Sequence, residues 1–191
     1  MNKLPLSRPL AAGIALAALM LATRSHHFAT PLHLPDASWA VFFLAGALLP
    51  GWRPLVGLLG LAAAVDYAAI AFGGVSAFCV SPAYLALAPA YGALYAAGHW
   101  YARGHRAELS TLPRFAAAAL AGTAICELVS SGAFYAFSGR FADPTLAEFG
   151  ARLVRYFPLA LEGMALYLGA AAIAAAVFMA IGARRATHAH G

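Results

Sequence analysis

Charge is what this sequence has least of. Seven acidic and twelve basic side chains in 191 residues make 10% charged residues, where a water-soluble domain carries about 25%. That shortage excludes a disordered chain, a nucleic-acid binder and a soluble globular domain, because too few charges exist to clothe a surface facing water. Cysteine is scarce as well: Cys79 and Cys126 permit at most one bridge and rule out a disulfide scaffold. The chain has no Walker-type phosphate loop, so it is not itself the ATPase of a transporter. Apolar residues fill the remainder, at 63% of the sequence, with a mean hydropathy of +0.76. Such a chain is expected to be a small integral membrane protein, a single membrane domain over 1–191.

A membrane-crossing helix needs roughly 20 apolar residues, and the apolar runs predict six spans, near 9–23, 38–51, 54–72, 82–97, 115–137 and 156–181. The basic start and apolar run at the N-terminus have the form of a signal peptide. With further apolar segments following, a retained first span is the expectation. The run from Trp39 to Leu49 is short, so its ends are expected to recruit Ser38 and Gly51, with Asp36 or Ser38 as cap. Gly73, Gly74 and Pro82 break the helical pattern after the third span. Pro89 predicts a kink in the fourth span. Asp143-Pro144 reads as the start of a short surface helix within 143–155 that runs into the last span.

Basic residues set the expected orientation. Lys3, Arg8, Arg53, Arg103, Arg106, Arg114, Arg184 and Arg185 fall on the N-terminal side, whereas Arg24, Arg140, Arg152 and Arg155 fall on the other. The positive-inside rule places both termini in the cytoplasm. Trp39, Trp52 and Trp100 stand at span ends, where interfacial anchors belong.

Ionisable groups within apolar runs are costly and point to sites. Asp66 lies six residues before the end of the third span, roughly 9 Å below the boundary. It reads either as an acceptor for a polar ligand or as a structural partner of Arg24. Glu127 and Glu162 each read as a cavity residue or a tie between helices, the tie being favoured for the deeper Glu127 and the cavity for Glu162, nearer the expected mouth. Tyr84, Tyr91 and Tyr95 share one helical face, serving either as packing or as a phenolic wall, with Tyr84 nearest the mouth. Cys79 stands in an irregular outward segment. It reads as a small buried hydrophobe, a disulfide partner of Cys126, or a soft ligand for a transition metal. His26, His27 and His33 share an outward loop and, with Cys79, are enough donors for a closed metal site. Ala11/Ala15, Gly13/Ala17 and Ala18/Ala22 on the first span permit close helix contact.

Six short spans, the His27 loop, Asp66 near the end of the third span, and AFCVSPAY carrying Cys79 and Tyr84 together resemble the BtuM family of bacterial vitamin B12 transporters. That family is related to the substrate-binding S-components of energy-coupling-factor transporters. The resemblance extends over essentially the whole chain, with its specific content in the cysteine segment. It implies a six-helix S-component bundle in the bacterial inner membrane and cobalamin as the transported ligand. It implies further that Cys79 is the axial cobalt ligand of base-off cobalamin, with His27, Asp66 and Tyr84 around the corrin. Thiolate donation would weaken the bond to the opposite axial group and, with a reductant present, assist loss of a cyanide upper ligand. The first span would be the docking surface for a coupling module, if one is used. Rival readings are an S-component-like carrier of a bare metal ion held by His26, His27 and Cys79, a haem protein or membrane enzyme, and a structural subunit. Haem is disfavoured, because His99 and His105 fall in a cytoplasmic loop and His26, His27 and His33 outside.

Overall fold

The computed structural model describes residues 7–24, 34–106 and 108–188, with backbone alone at Ser7, Arg8, Cys79, Leu109 and 182–188. Among the described residues the fold is all-helical, with six α-helices: α1 (Ser7–Thr23), α2 (Ser38–Leu48), α3 (Arg53–Phe72), α4 (Leu87–Arg103), α5 (Leu112–Phe137) and α6 (Leu146–His188). Three short 3-10 turns, Ala77–Cys79, Pro82–Ala86 and Leu109–Thr111, complete the secondary structure. Three helices, α3, α5 and α6 through Ile181, are long and apolar enough to cross a membrane. Pro54 and Pro113 sit in the first turns of α3 and α5, where a missing N–H costs nothing.

The shortest helix is the centre of the molecule. α2 has 11 residues and a length of roughly 16 Å, about half a hydrocarbon core. Val41, Phe42 and Phe43 are fully buried and Trp39 and Leu44 half-buried, so α2 is apolar all round, as a helix wrapped by others must be. It packs chiefly on α4, which in turn packs on α5; α1 lies against α2 and α3, and α5 against α6. Where apolar burial gives no net drive because lipid is as apolar as protein, association depends on close van der Waals contact between backbones. The α2–α4 seam supplies it. A Cβ added at Gly46 would run into the Tyr95 carbonyl, and one at Gly98 into the Phe43 carbonyl. The closest helix approach is therefore here, and the small residues of α1 do not provide it. Ala11, Ala15, Ala18 and Ala22 all lie on its exposed side.

Three other expectations change. α2 stops at Leu48 and does not reach Gly51. Span 4 opens as the 3-10 turn Pro82–Ala86, and α4 begins only at Leu87. Pro89 therefore stands in the first turn of α4, where it is tolerated and marks a start, not a kink. The segment around 143–155 and the last span are one 43-residue helix. Its cap is Thr145, whose Oγ1 accepts from the Glu148 amide at 3.2 Å, in place of Asp143. The Tyr135 hydroxyl completes that start by accepting from the Thr145 amide at 3.0 Å and donating to Glu148 at 2.7 Å. From Ala172 to Ile181 every side chain of α6 is exposed, an apolar surface suited to lipid.

Candidate functional site

At the end of the bundle where α1, α3 and α5 finish and α2, α4 and α6 begin, the helices enclose a cavity of about 270 Å³. One wall grows from a stripe on α3. Leu58 and Ala62 are buried, and Asp66 continues the same i, i+4 row toward the bundle interior. Arg24, directly after α1, reaches across to it and is only 3% exposed. Its Nε donates to Asp66 Oδ1 at 2.8 Å and its Nη2 to Oδ2 at 2.7 Å, a bidentate pair of the strong kind. Nε also donates to the Ala62 carbonyl at 3.2 Å, and Nη1 to Ser38 Oγ at 2.8 Å and Tyr91 Oη at 3.1 Å. Asp36 stands 3.8 Å from Nη1 and accepts from both the amide and the hydroxyl of Ser38; the N-cap position of α2 is Ala37, in place of the expected Asp36 or Ser38. Tyr84 donates to Asp66 Oδ2 at 2.6 Å. One guanidinium thus ties α1, α2, α3 and α4 together.

The opposite wall comes from α5 and α6. Glu127, Ser130, Ser131 and Phe134 repeat at i, i+3, i+4 and i+7, as do Phe149, Arg152, Leu153 and Tyr156, and both rows line the cavity. Glu127 Oε1 accepts from Ser131 at 2.6 Å, and Ser130 donates to the Cys126 carbonyl at 2.7 Å. The Arg152 guanidinium lies 4.8 Å from the Phe141 ring and 5.4 Å from that of Tyr156.

The turn carrying Cys79 is fastened to the rim of the same cavity. Ser76 Oγ caps it by accepting from the Phe78 amide at 3.2 Å. The Phe78 ring sits 5.8 Å from that of Phe134, a cavity-lining residue. Arg140 lies 4.5 Å over Phe78 and donates to its carbonyl at 3.3 Å, which pins this segment to the α5–α6 connection.

Of the four residues expected at a site, Asp66 and Tyr84 are brought together on one wall, and the backbone of Cys79 is placed at the rim. The Cys79 side chain, His26, His27 and His33 lie outside the described residues. Cys126 is a free thiol and fully buried, so the disulfide alternative does not form. Tyr95 is a buried packing residue, whereas Tyr91 does both: it stacks on Phe42 at 4.4 Å and lines the cavity with Tyr84, its hydroxyl turned to Arg24. Of the two glutamates, Glu127 lines the cavity and Glu162 is exposed on α6. Among the described residues no three His, Cys, Asp or Glu side chains are grouped to hold a metal ion. Arg24 was expected only as a structural partner of Asp66, and that pairing forms; its place in the cavity lining was not foreseen, because next to a loop it reads as a topology signal. Arg152 was likewise counted only for its charge. The signal that was available is the i, i+3, i+4 run of Glu127, Ser130 and Ser131 in an otherwise apolar helix.

No protein-family model matches the chain, and comparison with curated proteins finds no match. The geometry of the site therefore carries the functional reading.

Proposed function

We propose that the protein is the membrane-embedded binding component of a vitamin B12 transporter. It would be a six-helix bundle of the S-component type, in a bacterial inner membrane with both termini cytoplasmic. The observation that carries this reading is placement: Asp66, Tyr84 and the turn bearing Cys79 between them stand at one end of the bundle around a polar and aromatic cavity that α5 and α6 close from the other side. The distribution of basic residues puts that end outside, where a solute is captured.

The cavity's size says how a corrinoid sits. At about 270 Å³ it is at or below the lower edge of pockets that take drug-sized ligands, roughly 300–1,000 Å³, and a corrinoid is larger than those. The ring therefore lies across the mouth and only one edge with its side arms enters. A ring so placed presents its cobalt toward the Cys79 segment at the rim. Cobalt is a transition metal whose open axial position suits a soft thiolate, and coordination itself deprotonates the thiol. The tie of Arg140 to Phe78 holds that segment in position.

The test is an absorption spectrum of detergent-purified protein expressed in the presence of cobalamin. Wild type is expected to carry a corrinoid with thiolate-coordinated, base-off bands, and Cys79→Ala to lose those bands. Protein that binds no corrinoid, or identical spectra from the two, would overturn the reading.

A further inference from the structure

Glu127 is an unusual carboxylate. It is 6% exposed, in a membrane-spanning helix, and it borders both the polar cavity and an apolar cleft formed by Leu128, Leu153, Val154, Phe157 and Pro158. The ion pairs among the described residues belong to Arg24, with Asp36 and Asp66; Glu127 has none of them. Its partner there is the Ser131 hydroxyl. A carboxylate presents about four acceptor positions, so most of the capacity of this one is left for whatever occupies the cavity it lines.

The neighbouring groups do not fill it. Ser130 and Ser131 have one hydroxyl hydrogen each, already directed to the Cys126 carbonyl and to Glu127. Tyr84 directs its hydrogen to Asp66, which accepts three hydrogen bonds from Arg24 and Tyr84 and has about one position over. The α5 lining thus offers ligands acceptors, while donors come from Arg152 and Tyr156 on α6 and, on the far wall, from Arg24 and Tyr91, where the Arg24 charge is already paired with Asp66. A group bearing both N–H donors and a carbonyl oxygen satisfies the two sides at once. A carboxylate satisfies only the donors and faces Glu127 with like charge.

We propose that this cavity selects ligand arms ending in primary amides over arms ending in carboxylates, and that Glu127 is the residue that enforces the choice by accepting the amide N–H. This rests on the corrinoid reading, since a corrin ring carries a periphery of such arms, and it names which chemical form of the ligand is admitted. The experiment is competition for cobalamin-loaded protein by cobalamins in which one peripheral amide has been hydrolysed to the acid, each positional isomer tested separately. At least one isomer is expected to bind about tenfold or more weaker than intact cobalamin, the size of a lost hydrogen bond to a charged group. Glu127→Gln, whose side-chain amide donates as well as accepts, should recover most of that loss. Glu127→Asp, which keeps the charge, should retain the discrimination, and Glu162→Gln on the exposed face should leave it unchanged. Equal binding of every isomer to wild type, or a weakened isomer that Glu127→Gln does not recover, overturns the inference alone. Wild type that binds neither cobalamin nor its acids overturns the corrinoid reading, and this inference with it.

Discussion

On one side of the cavity Asp66 holds Arg24 by two hydrogen bonds and Tyr84 by a third. On the other side Glu127 has Ser131 as its partner among the described residues. Both carboxylates lie in the apolar interior of a helix bundle, and both line the same space. The first is a finished piece of structure: its cation arrives from another helix, and the pair fixes where α1, α2, α3 and α4 end or begin. The second is unfinished, with most of its acceptor capacity facing the cavity. The difference separates what builds the site from what remains to meet a ligand, although sequence alone presents the two as equivalent lone charges.

The largest effect should come from the seam on which both walls hang. Gly98→Val places a side chain where the Phe43 carbonyl already is, so α2 and α4 must separate. We expect no monodisperse folded protein in detergent by size-exclusion chromatography. Next comes the finished wall. Asp66→Ala leaves the Arg24 guanidinium, which remains charged at any accessible pH, buried without its carboxylate, at a cost of about 3–5 kcal/mol. Thermal unfolding in detergent should show it, and Arg24→Met combined with Asp66→Leu should recover much of the loss, since an apolar pair replaces an ion pair. Tyr84→Phe removes one charge-assisted hydrogen bond in a partly open position and should cost about 1 kcal/mol. The smallest effect on the empty protein belongs to the unfinished wall. Glu127→Gln should leave the melting temperature unchanged or raise it, because a neutral isostere relieves the burial of a charge. A loss as large as that of Asp66→Ala would erase the contrast between the walls.

Much of the fold is legible in the sequence, for reasons that also explain the failures. The expected bounds 9–23, 54–72 and 115–137 lie within three residues of α1, α3 and α5, because each is a long, mostly apolar run and the last two helices have proline in the first turn. Hydropathy does not report what wraps what. The short run of α2 signals a weak span when read as lipid-facing, but it is the buried centre, where length need not match a bilayer. Pro89 was misread because a proline in an apolar run looks interior until the 3-10 turn before it moves the helix start to Leu87. On the site, Asp66 stands out as a lone charge in an apolar helix, and Tyr84 by its nearness to the mouth. Arg24 stands out only as a possible partner of Asp66, because a cation beside a loop is otherwise what topology alone predicts. Glu127 and Glu162 could not be ranked by depth. What decides between them is the helical face, and with alanine and leucine all round, that face shows only through the polar companions Ser130 and Ser131.

The account rests on a corrinoid lying across the cavity mouth with its cobalt on Cys79, and locating the cobalt tests this most directly. Crystals of the protein loaded with cobalamin, measured at the cobalt absorption edge, should show one anomalous peak at coordination distance from Cys79 Sγ, above the rim formed by Phe78 and Phe134, with an edge of the ring directed between Asp66 and Glu127. A cobalt peak remote from Cys79, or a saturated sample with no cobalt at this end of the bundle, would contradict it.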